Sequence, residues 1–422
     1  MPLTDSPDIL RAMTSLLGPQ RARMPAGAAE AAGGLVVVEP ASLDELSVLV
    51  RHCEAERLTL APIGSGRTVG AMRARPAVVA VSLNSLARIV AYEPADMTAS
   101  VEAGLTLGEL NRRLAAHGQR LPLDPARPDT VTIGALIAGA KAGPLRLSEG
   151  TARDMVVGIR FVGHGGRAVH GGGTVVKNVA GYDLMKVMTG SFGTLGIITE
   201  VSFKVRPVPE GYTLARASFS SLTDAFAAGM RVYDALSPIH LEVVSPGLGG
   251  TLGLEGRFGL LAAFCGNGAE IEYQRARAVE LFGRQSDFFE GAEAQHLYQQ
   301  LRDLDFESAA LSAQLTVLPR ALGQCLEACQ AEFRAHVGCG VAQLVLPGAG
   351  LNGQKGAVLA RWRQAASQGR GFVQVIHASR PAEPELPFFD TPGPGPFALM
   401  RRLKAAFDPA GIFNPGCFVG GL

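Results

Sequence analysis

Three glycine-rich segments carry the residues best suited to holding a phosphorylated ligand. The first, Pro62-Ile63-Gly64-Ser65-Gly66-Arg67-Thr68-Val69-Gly70, follows a short apolar run. A diphosphate needs several backbone N–H groups aimed at it and no Cβ in the way. Closely spaced glycines supply such a nest without a helix N-terminus, the Ser65 and Thr68 hydroxyls add donors, and Arg67 adds a charge. The second segment runs from Asp129 through Thr132-Ile133-Gly134-Ala135, Ala138 and Gly139 to Gly143-Pro144 and Arg146. Small residues at that spacing let a flat ring or a sugar-alcohol chain lie against backbone. The third is Gly190-Ser191-Phe192-Gly193-Thr194-Leu195-Gly196-Ile197-Ile198. Taken singly, each also fits a bland reading: a tight turn, a small-residue helix packed on its neighbour, and a turn entering a buried strand. The first loop is not a Walker A loop, because no Gly-Lys-Ser/Thr follows, and Val69 stands at the third glycine position of the dinucleotide fingerprint.

The elements that must position these loops are legible in the pattern of apolar residues. Leu35 to Val38 is a strand. Ser42 to Glu45 is a capping box opening a helix through Glu56, and Leu58 to Ala61 is a second strand running into the first loop. Val78–Val81, Ile89–Tyr92 and Thr98–Val101 read as strands, and Thr106–Glu109 as a second capping box whose helix stops at Gly118. Val156–Val162 and Arg167–His170 pair around a Gly-Gly turn. From Ile197 to Val205 the chain alternates, with Ile197, Val201, Phe203 and Val205 on one face and Glu200, Ser202 and Lys204 on the other. Beyond Pro209 strands at 240–244, 258–265, 311–317, 341–346 and 372–377 interleave with helices near 221–236, 268–283, 319–335 and 355–366, an α+β layer on an antiparallel sheet.

The 422 residues favour two or three domains, and 47% hydrophobic content provides their cores. With 39 basic and 38 acidic residues, the charge balance gives no reason to expect nucleic acid or an anionic membrane as the main partner. None of the six cysteines forms a CxxC pair, so no iron–sulfur or zinc motif is present, and Cys325 and Cys329 read as small core residues. No signal peptide and no apolar run long enough for a transmembrane helix is expected, which makes the cytoplasm the expected location.

Taken in order, the three loops resemble the FAD-binding domain of the vanillyl-alcohol oxidase family, also called the PCMH type. The similarity lies in strand–PxGxG–strand, in Thr132-Ile133-Gly134, and in the Gly190–Glu200 run. The C-terminal Phe407-Asp408-Pro409-Ala410-Gly411-Ile412-Phe413-Asn414-Pro415-Gly416 looks like the family's closing segment. The stretch Val176-Lys177-Asn178-Val179-Ala180-Gly181-Tyr182-Asp183-Leu184, with Gly143–Arg146 and Arg153-Asp154 before it, is similar to the accessory FAD-binding subunits of bacterial glycolate oxidases. The resemblance spans residues 35–207 and 400–418.

It implies an α+β fold: behind a lead-in at 1–34, whose residues Asp8 to Leu17 read as a short helix followed by a small-residue linker, come a PCMH-type FAD-binding domain of two α/β subdomains at 35–210 and an α+β ferredoxin-like cap with an antiparallel sheet at 211–395. Residues 396–422 would return to the FAD domain. It implies non-covalent FAD held by Pro62 to Gly70, Asp129, Thr132, Ile133, Gly134, Ala138, Gly143, Arg146, Gly196, Ile197, Ile198 and Asn414. It also implies oxidation of glycolate or another 2-hydroxy acid, with Lys177, Asn178, Tyr182 and His377 as catalytic candidates. The bland readings of Lys177, Tyr182 and His377 are a solvated charge, a half-buried aromatic and a hydrogen-bonded core or surface histidine. The HxGDGNxH metal segment of the family's catalytic subunits is missing, and the eight histidines are scattered. The resemblance therefore points to an accessory role in a glycolate oxidase complex. Its partners there would be the catalytic flavoprotein subunit and the iron–sulfur subunit, and only through them would it reach the inner face of the membrane. A stand-alone D-lactate-type dehydrogenase and a non-catalytic assembly protein remain as alternatives.

Overall fold

Leu35–Val38 (β2) and Val78–Ser82 (β4) are buried at every position, as expected of strands covered on both faces rather than one. The computed structural model describes residues 6–24, 35–64, 78–173, 182–254, 256–283, 286–304, 306, 308–346, 354–378, 386–390 and 392–422. In it β2, Thr59–Ile63 (β3) and β4 form a parallel sheet in the order β2-β4-β3. The helix Leu43–Glu56 connects β2 to β3 and buries Leu46, Leu49, Val50 and Cys53. The N-terminal segment carries the helix expected there and adds a strand. Ala22–Arg23 (β1) pairs antiparallel with β2, and the helix Ser6–Leu17 before it buries Ile9 and Met13 completely.

Both capping residues act as expected, but their glutamates do not close the boxes. Ser42 Oγ accepts from Glu45 N at 3.2 Å, while the Glu45 carboxylate takes Ala41 N at 2.7 Å. Thr106 Oγ1 accepts from Glu109 N at 3.3 Å, and Glu109 turns outward to Arg112 and Arg113.

A second, five-stranded antiparallel sheet has the order β5-β6-β10-β8-β9, formed by Ile89–Glu93 (β5), Thr98–Glu102 (β6), Val156–Gly163 (β8), Arg167–Gly172 (β9) and Ile197–Lys204 (β10). The short pair Gln119–Arg120 (β7) and Arg206–Pro207 (β11) stands beside it. The two-faced alternation expected for β10 holds only in part. The strand lies at the centre of the sheet with irregularities at Ile198/Glu200 and Ser202/Phe203, and Ser202 is buried, its Oγ 2.7 Å from Ser100 Oγ.

The third sheet has eight antiparallel strands, in the order β15-β12-β14-β13-β17-β18-β16-β19. They are Gly211–Phe219 (β12), His240–Val244 (β13), Phe258–Gly266 (β14), Asp287–Glu290 (β15), Leu311–Thr316 (β16), Glu332–His336 (β17), Val341–Leu346 (β18) and Phe372–Ala378 (β19). With helices Leu222–Ala235 and Gly268–Phe282, the first four strands make a βαββαβ unit of order 4-1-3-2. The last four, with helices Leu322–Cys329 and Lys355–Gln368, repeat that order. The expected ferredoxin-like layer is thus two ferredoxin-like units fused edge to edge through β13 and β17. The helix expected over 319–335 is shorter. Gln330 enters the left-handed region (φ 52°) and ends it at Cys329, and Glu332–His336 then continues as a strand.

The chain divides into two units, one of residues 1–141, 151–208 and 391–422, the other of 142–150 and 209–390. Residues 142–150 join the second unit because Leu145 packs in a cluster with Val244 and Leu261, and Ser148 Oγ donates to Ile239 O at 2.9 Å.

Candidate functional site

Within the first unit, Pro62–Gly64, Thr132–Ala138 and Gly190–Gly193 of the three glycine segments meet at the C-terminal end of β3. There the parallel strand delivers Pro62, Ile63 and Gly64 half-buried, the usual place for a ligand in a parallel sheet. A Cβ on Gly64 would lie 2.8 Å from Ala135 Cβ and 2.9 Å from Thr132 Oγ1, so the first and second segments touch. A Cβ on Gly193 would lie 2.4 Å from Pro62 Cγ, so the third segment touches the first. Gly190 N donates to Ile137 O at 3.0 Å and Phe192 N to Ala138 O at 2.9 Å, which ties the third to the second. Gly190, Phe192 and Gly193 all have positive φ, at 80°, 53° and 69°.

Several expected ligand-holding residues also serve packing. Thr132 caps the helix Ile133–Ala138, its Oγ1 accepting from Ala135 N at 3.3 Å. Gly134 N donates to Ala103 O at 2.8 Å, and a Cβ there would press on Ala103 Cβ at 3.1 Å. The side chains of Ile133, Ile197 and Ile198 lie in the hydrophobic core. Gly196 (φ 148°) lets the chain pass 2.9 Å from Val162 O, measured from a hypothetical Cβ. Ala138 is half-buried, and Asp129 keeps its carboxylate exposed, 3.7 Å from Arg112. Gly143 and Arg146 belong to the second unit. Residues Ser65 to Gly70, with Lys177 and Asn178, lie outside the described residues. Tyr182 is 91% exposed, so packing does not position its hydroxyl. His377, near the end of β19, is half-buried opposite Ser312.

The C-terminal segment joins the end of β3 through Asn414. Its backbone N donates to Leu60 O at 2.7 Å and its Nδ2 to Phe192 O at 2.7 Å. Ile412 O accepts from Leu60 N at 2.8 Å, so residues 412–414 run beside β3. Three residues not singled out from sequence complete the arrangement. Ser191 Oγ is buried with no hydrogen-bond partner among the described residues. Lys404 Nζ donates to Thr194 O, Phe413 O and Asp408 Oδ2 at 2.7, 2.8 and 2.6 Å. The fully buried Asp408 carboxylate also accepts from Ile412 N and Phe413 N, both at 3.0 Å. The Lys404–Asp408 spacing was visible in the sequence, but an i,i+4 pair ordinarily marks a solvated helix face.

The second unit holds a buried polar cluster where its two halves join. His336 Nδ1 lies 2.7 Å from Glu242 Oε1, and Tyr212 OH lies 3.1 Å from His240 Nε2. His240 also stacks on Tyr298, and Arg334 donates to Leu301 O at 2.6 Å, to Arg302 O at 3.1 Å and to Gln343. Burial, with Arg334 adding to it, holds His240 down at about 3. Burial first, then Arg334, Arg146 and His240, hold His336 well below its ordinary value. Cys339 nearby is pushed up to about 11 by burial and then by Glu242. Both histidines are therefore neutral when folded and protonate near 6.5 when unfolded, so below pH 6.5 the unfolded chain binds more protons. Stability should fall with pH below 6.5, for His240 down to about 3, by up to about 1.4 kcal/mol per pH unit for each histidine. Urea unfolding followed at the single Trp362 between pH 7 and pH 4.5 checks this, and H240F should flatten the profile.

Among the described residues no group of three or more His, Cys, Asp or Glu is placed to hold a metal, and no helix is long and apolar enough to cross a membrane. Comparison with known proteins matches residues 34–172 to the FAD binding domain and residues 389–417 to the C-terminal domain of FAD linked oxidases. The chain is 29% identical over 335 residues to glycolate oxidase subunit GlcE of Escherichia coli, covering 78% of this chain and 83% of that one. It is 32% identical over 210 residues to a mitochondrial D-lactate dehydrogenase of Arabidopsis thaliana, covering 50% of this chain and 36% of that one. Over 202 residues it is 31% identical to glycolate oxidase subunit GlcD of Bacillus subtilis, covering 48% and 42%. The chain thus spans less than half the length of the latter two relatives. In fold it is similar to p-cresol methylhydroxylase, with a TM-score of 0.73 at 14% identity over 96% of this chain and 95% of that one.

Proposed function

We propose that this PCMH-type FAD-binding protein is the FAD-binding subunit of an oxidoreductase complex that converts glycolate, or a close 2-hydroxy acid, to the 2-oxo acid. FAD is the cofactor of the matched domain, and the residues present fit it. Glycines stand where any Cβ would collide across the cradle, at Gly64 and Gly193, and Ser191 keeps a buried hydroxyl with no partner among the described residues. The observation that carries the reading is this convergence of three sequence-distant segments and the C-terminal Asn414 on the end of one parallel strand. The backbone of Pro62–Gly64, Thr132–Ala135 and Ser191–Gly193 would hold the cofactor, and the Ser191 hydroxyl would be a further donor to it. Bound FAD would supply the hydride acceptor for the substrate's hydroxyl-bearing carbon. Lys177, Asn178, Tyr182 and His377 stay as candidates for holding the carboxylate or taking the hydroxyl proton.

The similarity to glycolate oxidase subunit GlcE over most of both chains supports the accessory role. In that role the chain works beside a catalytic flavoprotein and an iron–sulfur protein of the same complex, in the cytoplasm or at the inner face of the membrane through those partners. Similarity to D-lactate dehydrogenases favours a second reading, a stand-alone 2-hydroxy acid dehydrogenase. A non-catalytic assembly protein that FAD merely stabilises is the third. Anaerobic addition of glycolate and then D-lactate to the FAD-loaded chain separates them. The accessory role predicts that the flavin band persists with the chain alone and that oxidation requires the added partners. Bleaching by D-lactate in the chain alone would establish the second reading. Activity of the partners that does not depend on the flavin here would establish the third.

A further inference from the structure

The helix Pro394–Phe407 has no fully buried residue, and its last residue, Phe407, packs half-buried against the core beside Phe161. An element with so little buried apolar surface opens easily unless something fixes its end. Beyond Phe407, what fixes it is the Lys404–Asp408 pair, whose side chains are 14% and 0% exposed, followed by the buried Ile412 and Phe413. We infer that residues 394–414 are a latch on the cofactor cradle. Docking of the latch and binding of FAD are coupled, with Lys404 as the positioning residue that ties latch to cradle.

The connection can be followed bond by bond. Lys404 donates to Thr194 O on the third glycine segment and to Phe413 O on the latch. Asp408 accepts from the Ile412 and Phe413 amides and so shapes the turn that brings Asn414 round. Asn414 then bonds Leu60 O and Phe192 O. Leu60 stands two residues before Pro62, and Phe192 one before Gly193, whose backbone has no room for a Cβ beside the Pro62 ring. Undocking the latch therefore releases both sides of the Pro62–Gly193 contact. A ligand that binds only the docked state stabilises it by mass action, and the docked state raises the ligand's affinity by the same factor.

The inference rests on reading the cradle as the FAD site, and the experiment separates the two. Amide hydrogen exchange at Ile412, Phe413 and Asn414 is measured in the full chain with and without saturating FAD, alongside the FAD dissociation constant. FAD should slow exchange at these amides by about tenfold, within the usual range of site-to-site coupling. K404M keeps the apolar stem and loses the donors. It should weaken FAD binding by a similar factor and abolish the effect of FAD on exchange, and K404R should restore most of both. FAD binding that leaves this exchange unchanged in the wild-type chain overturns the latch, as does K404M binding FAD as tightly as wild type. If K404M does not fold, the wild-type exchange decides alone. Failure of the wild-type chain to take up FAD overturns the cofactor reading and the latch with it.

Discussion

Gly193→Ala should yield a chain that loses FAD during purification and melts several degrees lower. Two costs combine at this position. The backbone is in the left-handed region at φ 69°, and the new methyl would sit 2.4 Å from Pro62 Cγ. The first costs about 1–2 kcal/mol for a residue with a Cβ. The second forces a shift of a ring that cannot rotate away, at about 1–3 kcal/mol. Each kcal/mol lowers the melting temperature of a domain of this size by about 2–4 °C. Gly283→Ala separates strain from cradle geometry: it has the same handedness, φ 66°, and beyond its chain neighbours no atom of a described residue lies within 4 Å of the added methyl. That variant should carry the strain alone and keep FAD. Calorimetry and flavin content of the two proteins check the pair, and equal flavin retention would count against the Pro62–Gly193 contact as part of the site.

Asp408→Ala should be the more damaging change to stability, at about 3–5 kcal/mol, because it strands a nearly buried ammonium. Lys404 would keep its two carbonyl acceptors but lose its counter-charge, and the Ile412 and Phe413 amides would lose their acceptor. D408N keeps an acceptor for one of those amides and should cost less. Urea unfolding of the three proteins gives the order wild type, D408N, D408A. D408A as stable as wild type would show that the carboxylate is dispensable.

The strand–helix–strand framework was readable because its residues obey periods that burial imposes. Val36, Val38, Val79 and Val81 had to be apolar, and Ser42 and Thr106 had to be cap residues. The three glycine segments were readable as well, although the structure divides their labour. Gly134 and Gly196 serve packing, whereas Gly64 and Gly193 keep the segments in contact. What escaped the sequence were side chains whose role depends on partners far along the chain. Lys404 meets Thr194, and His336 meets Glu242 across two strands that are buried at nearly every position. The strand β17 was hidden inside an expected helix because its terminator, Gln330, is a residue type rarely held at positive φ. The duplication in the second unit was equally silent, since the two halves share a strand order and not a sequence motif.

The central claim, that the first unit of this chain holds one FAD in the cradle at the end of β3, is met most directly by the flavin content of the purified full-length protein. Acid release and quantification of the flavin, after incubation with excess FAD and removal of the free cofactor, should give one FAD per chain, released intact because it is not covalently attached. A colourless protein that takes up no FAD would contradict the account.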